Sequence, residues 1–77
     1  MEKMIITNDL RKAHLNGLGE IPILFYGVAK QHGVRTGDTV TIRTQVGTVV
    51  FNDTFKVGSY INQDKYGRKV SGFALLN

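Results

Sequence analysis

Residues 32–51 read HGVRTGDTVTIRTQVGTVVF, and this stretch decides most of the expected fold. In TVTIRT, Val40 and Ile42 alternate with polar residues, which is the pattern of a half-buried strand. Segment 45–47 has the length of a hairpin connection, and the β-prone run TVVF follows it. The stretch therefore predicts two antiparallel strands joined by a short turn.

A corner precedes the first of these strands. Gly37 permits a turn conformation that a side chain would oppose, and Asp38 can accept backbone N–H bonds in the same turn. Turn chemistry accounts for both residue types, so we interpret Gly37 and Asp38 as residues of the fold and not of a ligand site.

Upstream, the segment TNDLRKAHLNG, residues 7–17, begins with N-cap residue types and ends in glycine. Its Leu10, Ala13 and His14 fall on neighbouring helical positions, with Asp9 suited to the positive end of the helix dipole. These features predict a short helix at about 8–16, held by contacts with the rest of the fold because isolated helices of this length are marginal.

The next segment, EIPILFYGVAKQHG, fits two structures. Read as a helix starting at Pro22, its apolar residues follow the i, i+3, i+4, i+7 spacing. Read as a strand, residues 23–26 form a short β-prone run. We expect a combination in which residues 21–24 enter the core and a helix covers residues 25–32, with Gly33 as its left-handed stop.

The end of the chain predicts a further turn and strand. Asp64-Lys65-Tyr66-Gly67 is a turn candidate, and residues 70–76 are an apolar interior strand with a bulge at Gly72. The expected fold class is α+β, with one or two short helices followed by a four- to five-stranded bent antiparallel sheet or small barrel. Residues 1–77 are expected to form one domain.

Composition limits the function. Ten Lys and Arg face six Asp and Glu, which gives a formal charge of +4, and there is no cysteine for disulfides or thiolate ligands. The positive balance favours an acidic partner such as nucleic acid. The N-terminal apolar run is far too short for a signal peptide or a membrane span, so we expect a cytoplasmic protein with no membrane partner.

The sequence offers little for catalysis. Ser59, Ser71, His14 and His32 show no spacing typical of a nucleophile with its base, and the two histidines have no converging ligands for a metal. The segment LNGLGE lacks the third glycine of a dinucleotide-binding loop. We therefore expect no enzyme activity, no cofactor and no metal.

Residues 28–60 carry a family resemblance. The run AKQHGVRTGDTVTIRTQVGTVVFNDTFKVG places a helical turn, a glycine-aspartate corner, a strand, a glycine and a second strand in succession. It resembles the double-psi β-barrel modules of molybdopterin oxidoreductases, and it is similar to the swapped-hairpin domains of transition-state regulators. The first resemblance implies a small barrel, and the second implies DNA binding.

The chain departs from both resemblances. The swapped-hairpin regulators lead into the helix from a strand with an arginine near it, whereas LGEIPILF has no basic residue. VVFND is also similar to the barrel of expansin-like and lytic-transglycosylase-like proteins, which need a second acid downstream. The tail after Arg68 has none, so Asp53 lacks a partner for glycan cleavage.

The segment KYGRK, residues 65–69, has the best claim to a functional site. A basic hairpin tip can meet a phosphate backbone while its tyrosine stacks on a base, although the same residues also suit a solvated turn that keeps an edge strand from pairing. The hypothesis is a non-enzymatic nucleic-acid-binding module, and its candidate binding residues are Arg35, Arg43, Lys65, Tyr66, Arg68 and Lys69.

Two other functions remain open. One is an inhibitor or adaptor that binds a host protein, of the kind that phages and mobile elements encode, with Phe25, Tyr26 and Tyr60 as its exposed apolar candidates. The other is a homo-oligomeric structural subunit, suggested by the high β content and the small core.

Overall fold

The computed structural model describes residues 2–77, which form six strands and one short helix. In chain order these are β1 (Glu2–Ile6), β2 (Arg11–Leu15), β3 (Gly19–Phe25), α1 (Tyr26–Gln31), β4 (Thr39–Val46), β5 (Val49–Gln63) and β6 (Lys69–Leu76). Strands account for 63% of the structure and helix for 8%. The protein is therefore mostly β, and the predicted α+β class is wrong.

The strands form one six-stranded sheet in the order β1-β4-β5-β6-β3-β2. β1 runs parallel to β4, and the other neighbouring pairs are antiparallel. The sheet is thus mixed and has one or two strands more than predicted. The additional strands come from the N-terminal part of the chain, where the sequence favoured a helix or gave no strand signal.

The helix predicted at about 8–16 is a strand. Arg11–Leu15 forms β2, which pairs with β3 across a turn that contains Gly17; Gly17 and Gly19, the first residue of β3, both have positive φ. Ala13 and Leu15 are buried, so the apolar residues that decide the structure are two positions apart. Cap-type residues upstream suggested a helix, but pairing with β3 determines the conformation.

The segment 21–32 does combine strand and helix. β3 extends to Phe25 with Ile23 and Leu24 buried, and α1 begins at Tyr26. The predicted helix is confirmed with slightly narrower bounds, and Gly33 follows it with a φ of 65°. The helix has no side-chain N-cap bond.

The β4–β5 hairpin is confirmed, with Val40 and Ile42 buried and Gly47 at a φ of 62° in its turn. The predicted corner is also present, because Gly37 has a φ of 96° and Asp38 Oδ2 accepts the N–H of Arg35 at 3.0 Å. Backbone bonds from Gly37 N to Val57 O and from Val57 N to Asp38 O, both 2.8 Å, fasten this corner to the middle of β5.

β6 lies in the interior of the sheet between β5 and β3, as predicted. Its pairing with β5 has two irregularities, between Val57 and Tyr60 and between Ile61 and Gln63. The buried residues of the protein form two core clusters. One is centred on Ile5, Leu24, Ala29, Val34, Val40, Ile42, Val57 and Leu75, and the other on Ala13, Leu15, Ile23 and Ala74.

Candidate functional site

The turn between β5 and β6 is built around the carboxylate of Asp64. Its Oδ1 accepts the backbone N–H groups of Tyr66 and Arg68, each at 2.8 Å. The backbone of Asp64 also donates to Arg68 O at 2.9 Å, and Gly67, with a φ of 80°, donates to Asp64 O at 3.2 Å. Aspartate bonded to the backbone two residues on is a standard means of ordering a turn. The turn residues are therefore held in place by local hydrogen bonds.

Tyr66 projects from this turn, with 61% of its surface exposed. Lys65 Nζ lies 5.1 Å from the centre of its ring, and Arg68 Cζ lies 5.8 Å from it. Both distances are within the range of a cation–π contact. The turn thus presents an exposed aromatic ring with two positive charges beside it.

The edge strand β2 supports the turn from the other side. Lys65 N donates to His14 O at 2.8 Å, and the His14 ring meets the Tyr66 ring edge-on, with the centroids 5.6 Å apart. His14 Nε2 also lies 3.1 Å from a carboxylate oxygen of Glu20, a partly exposed pair that is ionic when the imidazole is protonated. His14 is therefore part of the site, although no sequence pattern connects it with residues about 50 positions away.

The predicted binding residues do not all lie together. Lys65, Tyr66 and Arg68 share the turn, and Lys69 follows as the first residue of β6, paired with Gln63. Arg43 lies on β4, exposed as its alternation with Ile42 predicts and paired in register with Asn52. Arg35 belongs to the corner between α1 and β4. The three regions lie at different points along β5. Arg43 pairs near the start of this strand, the corner is bonded to its middle, and the turn follows its end.

The corner borders an open cavity of about 350 Å³, lined by Lys3, Gly33, Arg35 and Asp38. Lys3 Nζ donates to His32 O at 3.1 Å, which ties β1 to the end of α1. The N–H of Arg35 holds the pKa of the Asp38 carboxyl below its ordinary value. Desolvation opposes this as the next largest effect, and the charge of Lys3 adds a smaller lowering of the pKa. Asp38 thus serves the corner, in line with the interpretation from the sequence.

A separate aromatic patch lies on β5, β6 and the start of α1. The Tyr26 and Tyr60 rings are 5.8 Å apart, and each also contacts the ring of Phe73, at 6.4 and 5.7 Å. The hydroxyl groups of Tyr60 and Ser71 form a hydrogen bond of 3.0 Å. Tyr26 is 46% exposed and Tyr60 47%. The Phe25 ring instead contacts the Arg11 guanidinium, whose Cζ lies 5.1 Å from the ring centre.

Comparison with known proteins assigns no family. No protein-family model matches the chain, and neither a curated protein nor a solved structure does. The resemblance of residues 28–60 to double-psi barrels and swapped-hairpin domains therefore stays a prediction.

Two further structural findings concern membranes and metals. No helix within residues 2–77 has the length and apolar character needed to cross a bilayer. In the same part of the chain, His, Asp and Glu side chains nowhere gather in a group of three that could hold a metal ion. The distinctive surface features described for this chain are the Tyr66 turn, the corner cavity and the aromatic patch.

Proposed function

We propose that the protein binds single-stranded nucleic acid through the β5–β6 turn, with Tyr66 stacking on a base and Lys65, Arg68 and Lys69 contacting phosphates. The observation that carries this proposal is the exposed Tyr66 ring with Lys65 and Arg68 beside it on an ordered turn. Arg35 and Arg43 lie on other parts of the surface and are outside the proposed site.

The chemistry favours an unpaired strand. A base can stack on a tyrosine only when its own face is accessible, and stacking platforms flanked by basic residues are the usual means of binding single strands. On binding, one of the two cations leaves the ring for a phosphate, and the base takes its place. The formal charge of +4 assists the approach of the strand.

Ordering of the turn strengthens the proposal. Because Asp64 fixes the backbone of Tyr66 and Arg68, and β2 holds Lys65, little backbone freedom remains to be lost on binding. Only the side chains of the two cations need to rearrange.

The test is a titration of a fluorescent mixed-sequence oligonucleotide at several salt concentrations. Tyr66→Ala is expected to weaken binding by about 5- to 150-fold, the loss of one stacked base, while Tyr66→Phe keeps the ring and most of the affinity. Removing both Lys65 and Arg68 should reduce the slope of log K against log salt by about 1.4, because each phosphate contact contributes about 0.7 for a single strand.

The matched control is Lys30→Ala with Lys56→Ala, which changes the net charge equally at positions on α1 and in β5. This double variant should leave the salt slope close to that of the wild type. Equal effects of the two double variants would mean that general charge, and not the turn, attracts the strand.

A second candidate function is binding to a protein through the aromatic patch of Tyr26, Tyr60 and Phe73, the role of an inhibitor or adaptor. The observation in its favour is that two half-exposed tyrosines meet in one patch, since exposed aromatic clusters are typical of interface centres. Binding of this kind persists at raised salt and is lost in Tyr60→Ser, whereas Tyr66→Ala leaves it unchanged.

A further inference from the structure

The β1 edge is the least protected edge of the sheet. On the opposite edge, the backbone of Lys65 bonds to His14 O of β2, and β2 carries Arg11 and Lys12. β1 also begins with two charged residues, but it ends in Met4-Ile5-Ile6, and the exposed fractions of Met4 and Ile6 are 57% and 74%. Unpaired edges with exposed apolar side chains invite another strand, and charges or covering loops are the usual means of preventing it.

The hydrogen-bond register shows which backbone groups of β1 remain open. Thr7 N donates to Arg43 O at 3.0 Å, so by alternation Lys3, Ile5 and Thr7 direct their backbone groups to β4. Glu2, Met4 and Ile6 direct theirs away from the sheet. Within residues 2–77 no segment pairs with this outer side, because β1 is the terminal strand.

The adjoining end of β4 is closed by a side chain. Beyond Ile6, the Asn8 carboxamide takes the place of a strand, with Nδ2 donating to Gln45 O at 2.7 Å and Oδ1 accepting Gln45 N–H at 2.9 Å. The open edge is therefore confined to the five residues of β1, and only one antiparallel register pairs all three of its outward residues with those of an identical strand.

We propose that this edge pairs with the β1 edge of a second copy of the chain, antiparallel about Met4. Antiparallel pairing of the three outward residues places Met4 opposite Met4 and Glu2 opposite Ile6 of the other copy, in three hydrogen-bonded pairs with about six N–H···O bonds. The two-fold arrangement joins the two sheets into one.

Charge complementarity selects a second copy as the occupant. Ile6 lies beside Arg43 in register, so the Glu2 that pairs with Ile6 from the other copy lies two strands from Arg43 on the same face. The Cα atoms are then about 10 Å apart, which the two long side chains span across Ile6. Two such Glu2–Arg43 pairs form by symmetry, and they cover Ile6 with aliphatic stems.

The test is the solution mass by sedimentation or light scattering over a wide range of protein concentration at low salt. We expect a concentration-dependent dimer that Met4→Pro abolishes, because proline removes an outward N–H and leaves the β1–β4 bonds in place. Circular dichroism checks that this variant is folded. If it is not, Met4→Lys, which places two positive charges opposite each other, replaces it.

Charge reversal tests the register. Glu2→Arg and Arg43→Glu should each weaken the dimer by several-fold, and the double variant should restore it. A monomer at every concentration would overturn the proposal, and so would a dimer whose mass is unaffected by these changes. The proposal does not depend on nucleic-acid binding, since the mass is measured without an oligonucleotide and the Tyr66 turn lies outside β1.

Discussion

Among the glycines, Gly72 is the position that leaves the least room for a side chain. A Cβ atom at residue 72 would collide with the carbonyl oxygen of Leu24 and would lie 2.9 Å from Leu24 C and 2.8 Å from Ile23 Cγ2. The φ of Gly72 is not positive, so the conflict is one of space and not of backbone conformation. β3 and β6 can approach each other as they do only because residue 72 has no side chain.

The cost of Gly72→Ala follows from these contacts. Overpacking of a core costs about 1–3 kcal/mol and occasionally more. Two of the three atoms near the added methyl belong to the backbone of β3, which cannot rotate away, so we expect a loss of about 3 kcal/mol. A chain of 77 residues has a free energy of unfolding of roughly 4–12 kcal/mol. The substitution therefore removes a large part of the stability.

The assay is urea unfolding followed by far-UV circular dichroism, because the chain has no tryptophan. With a slope of about 1.5 kcal/mol per M, the midpoint should fall by about 2 M. Gly27→Ala is the matched control: it lies in α1, nothing is within 4 Å of an added Cβ, and alanine should raise stability by about 0.5–1 kcal/mol. Equal stabilities for Gly72→Ala and the wild type would refute the close approach of β3 and β6.

Three further predictions concern polar contacts. The pKa of Asp38 in the folded protein is below its ordinary value, so the ionised carboxylate stabilises the fold at pH values above the ordinary pKa. This contribution is lost as the pH falls through the folded-state pKa. The thermal midpoints of the wild type and Asp38→Asn should therefore differ at neutral pH and converge in acid. Asn8→Ala removes two hydrogen bonds to Gln45 and should cost about 1–3 kcal/mol in urea unfolding. Asp64→Ala releases the N–H groups of Tyr66 and Arg68 and should lower both stability, by about 1–2 kcal/mol, and oligonucleotide affinity, whereas a loss of stability alone would count against an ordered turn as the binding site.

The sequence predicted the part of the fold that local patterns determine. Val40 and Ile42 alternate with polar residues and form a strand, and the glycines at 33, 37 and 47 occupy the left-handed conformations that their turns require. The helix at 26–31 ends before the glycine stop that the sequence predicted, but most of the apolar residues at helical spacing lie in β3 and not in the helix. These signals are contained within about ten residues, so no knowledge of the rest of the chain is needed.

Pairings between distant segments could not be predicted in this way. β1 is five residues long and pairs in parallel with β4 across more than 30 residues, and its sequence alone has no strong strand signal. β2 does carry a strand signal, since Ala13 and Leu15 alternate with Lys12 and His14 and two turn-forming glycines follow. The cap-type residues at 7 and 8 favour a helix for the same segment, so local patterns alone conflict here.

In the candidate site, too, the local features could be predicted from the sequence and the contacts between distant segments could not. The turn at residues 64–68 could be predicted from its residue types, and the basic and aromatic residues in it were identified. The contribution of His14 depends on β2 lying beside the turn, which only the fold reveals. Likewise, Tyr60 and Phe73 flank the turn in sequence but pack with Tyr26 in a different patch.

The most direct measurement of the central claim is the affinity of wild type, Tyr66→Ala and Tyr66→Phe for one single-stranded oligonucleotide at low salt. The account predicts that Tyr66→Ala binds about 5- to 150-fold more weakly while Tyr66→Phe stays close to the wild type. Equal affinities for all three proteins, or no binding by the wild type at low salt, would contradict it.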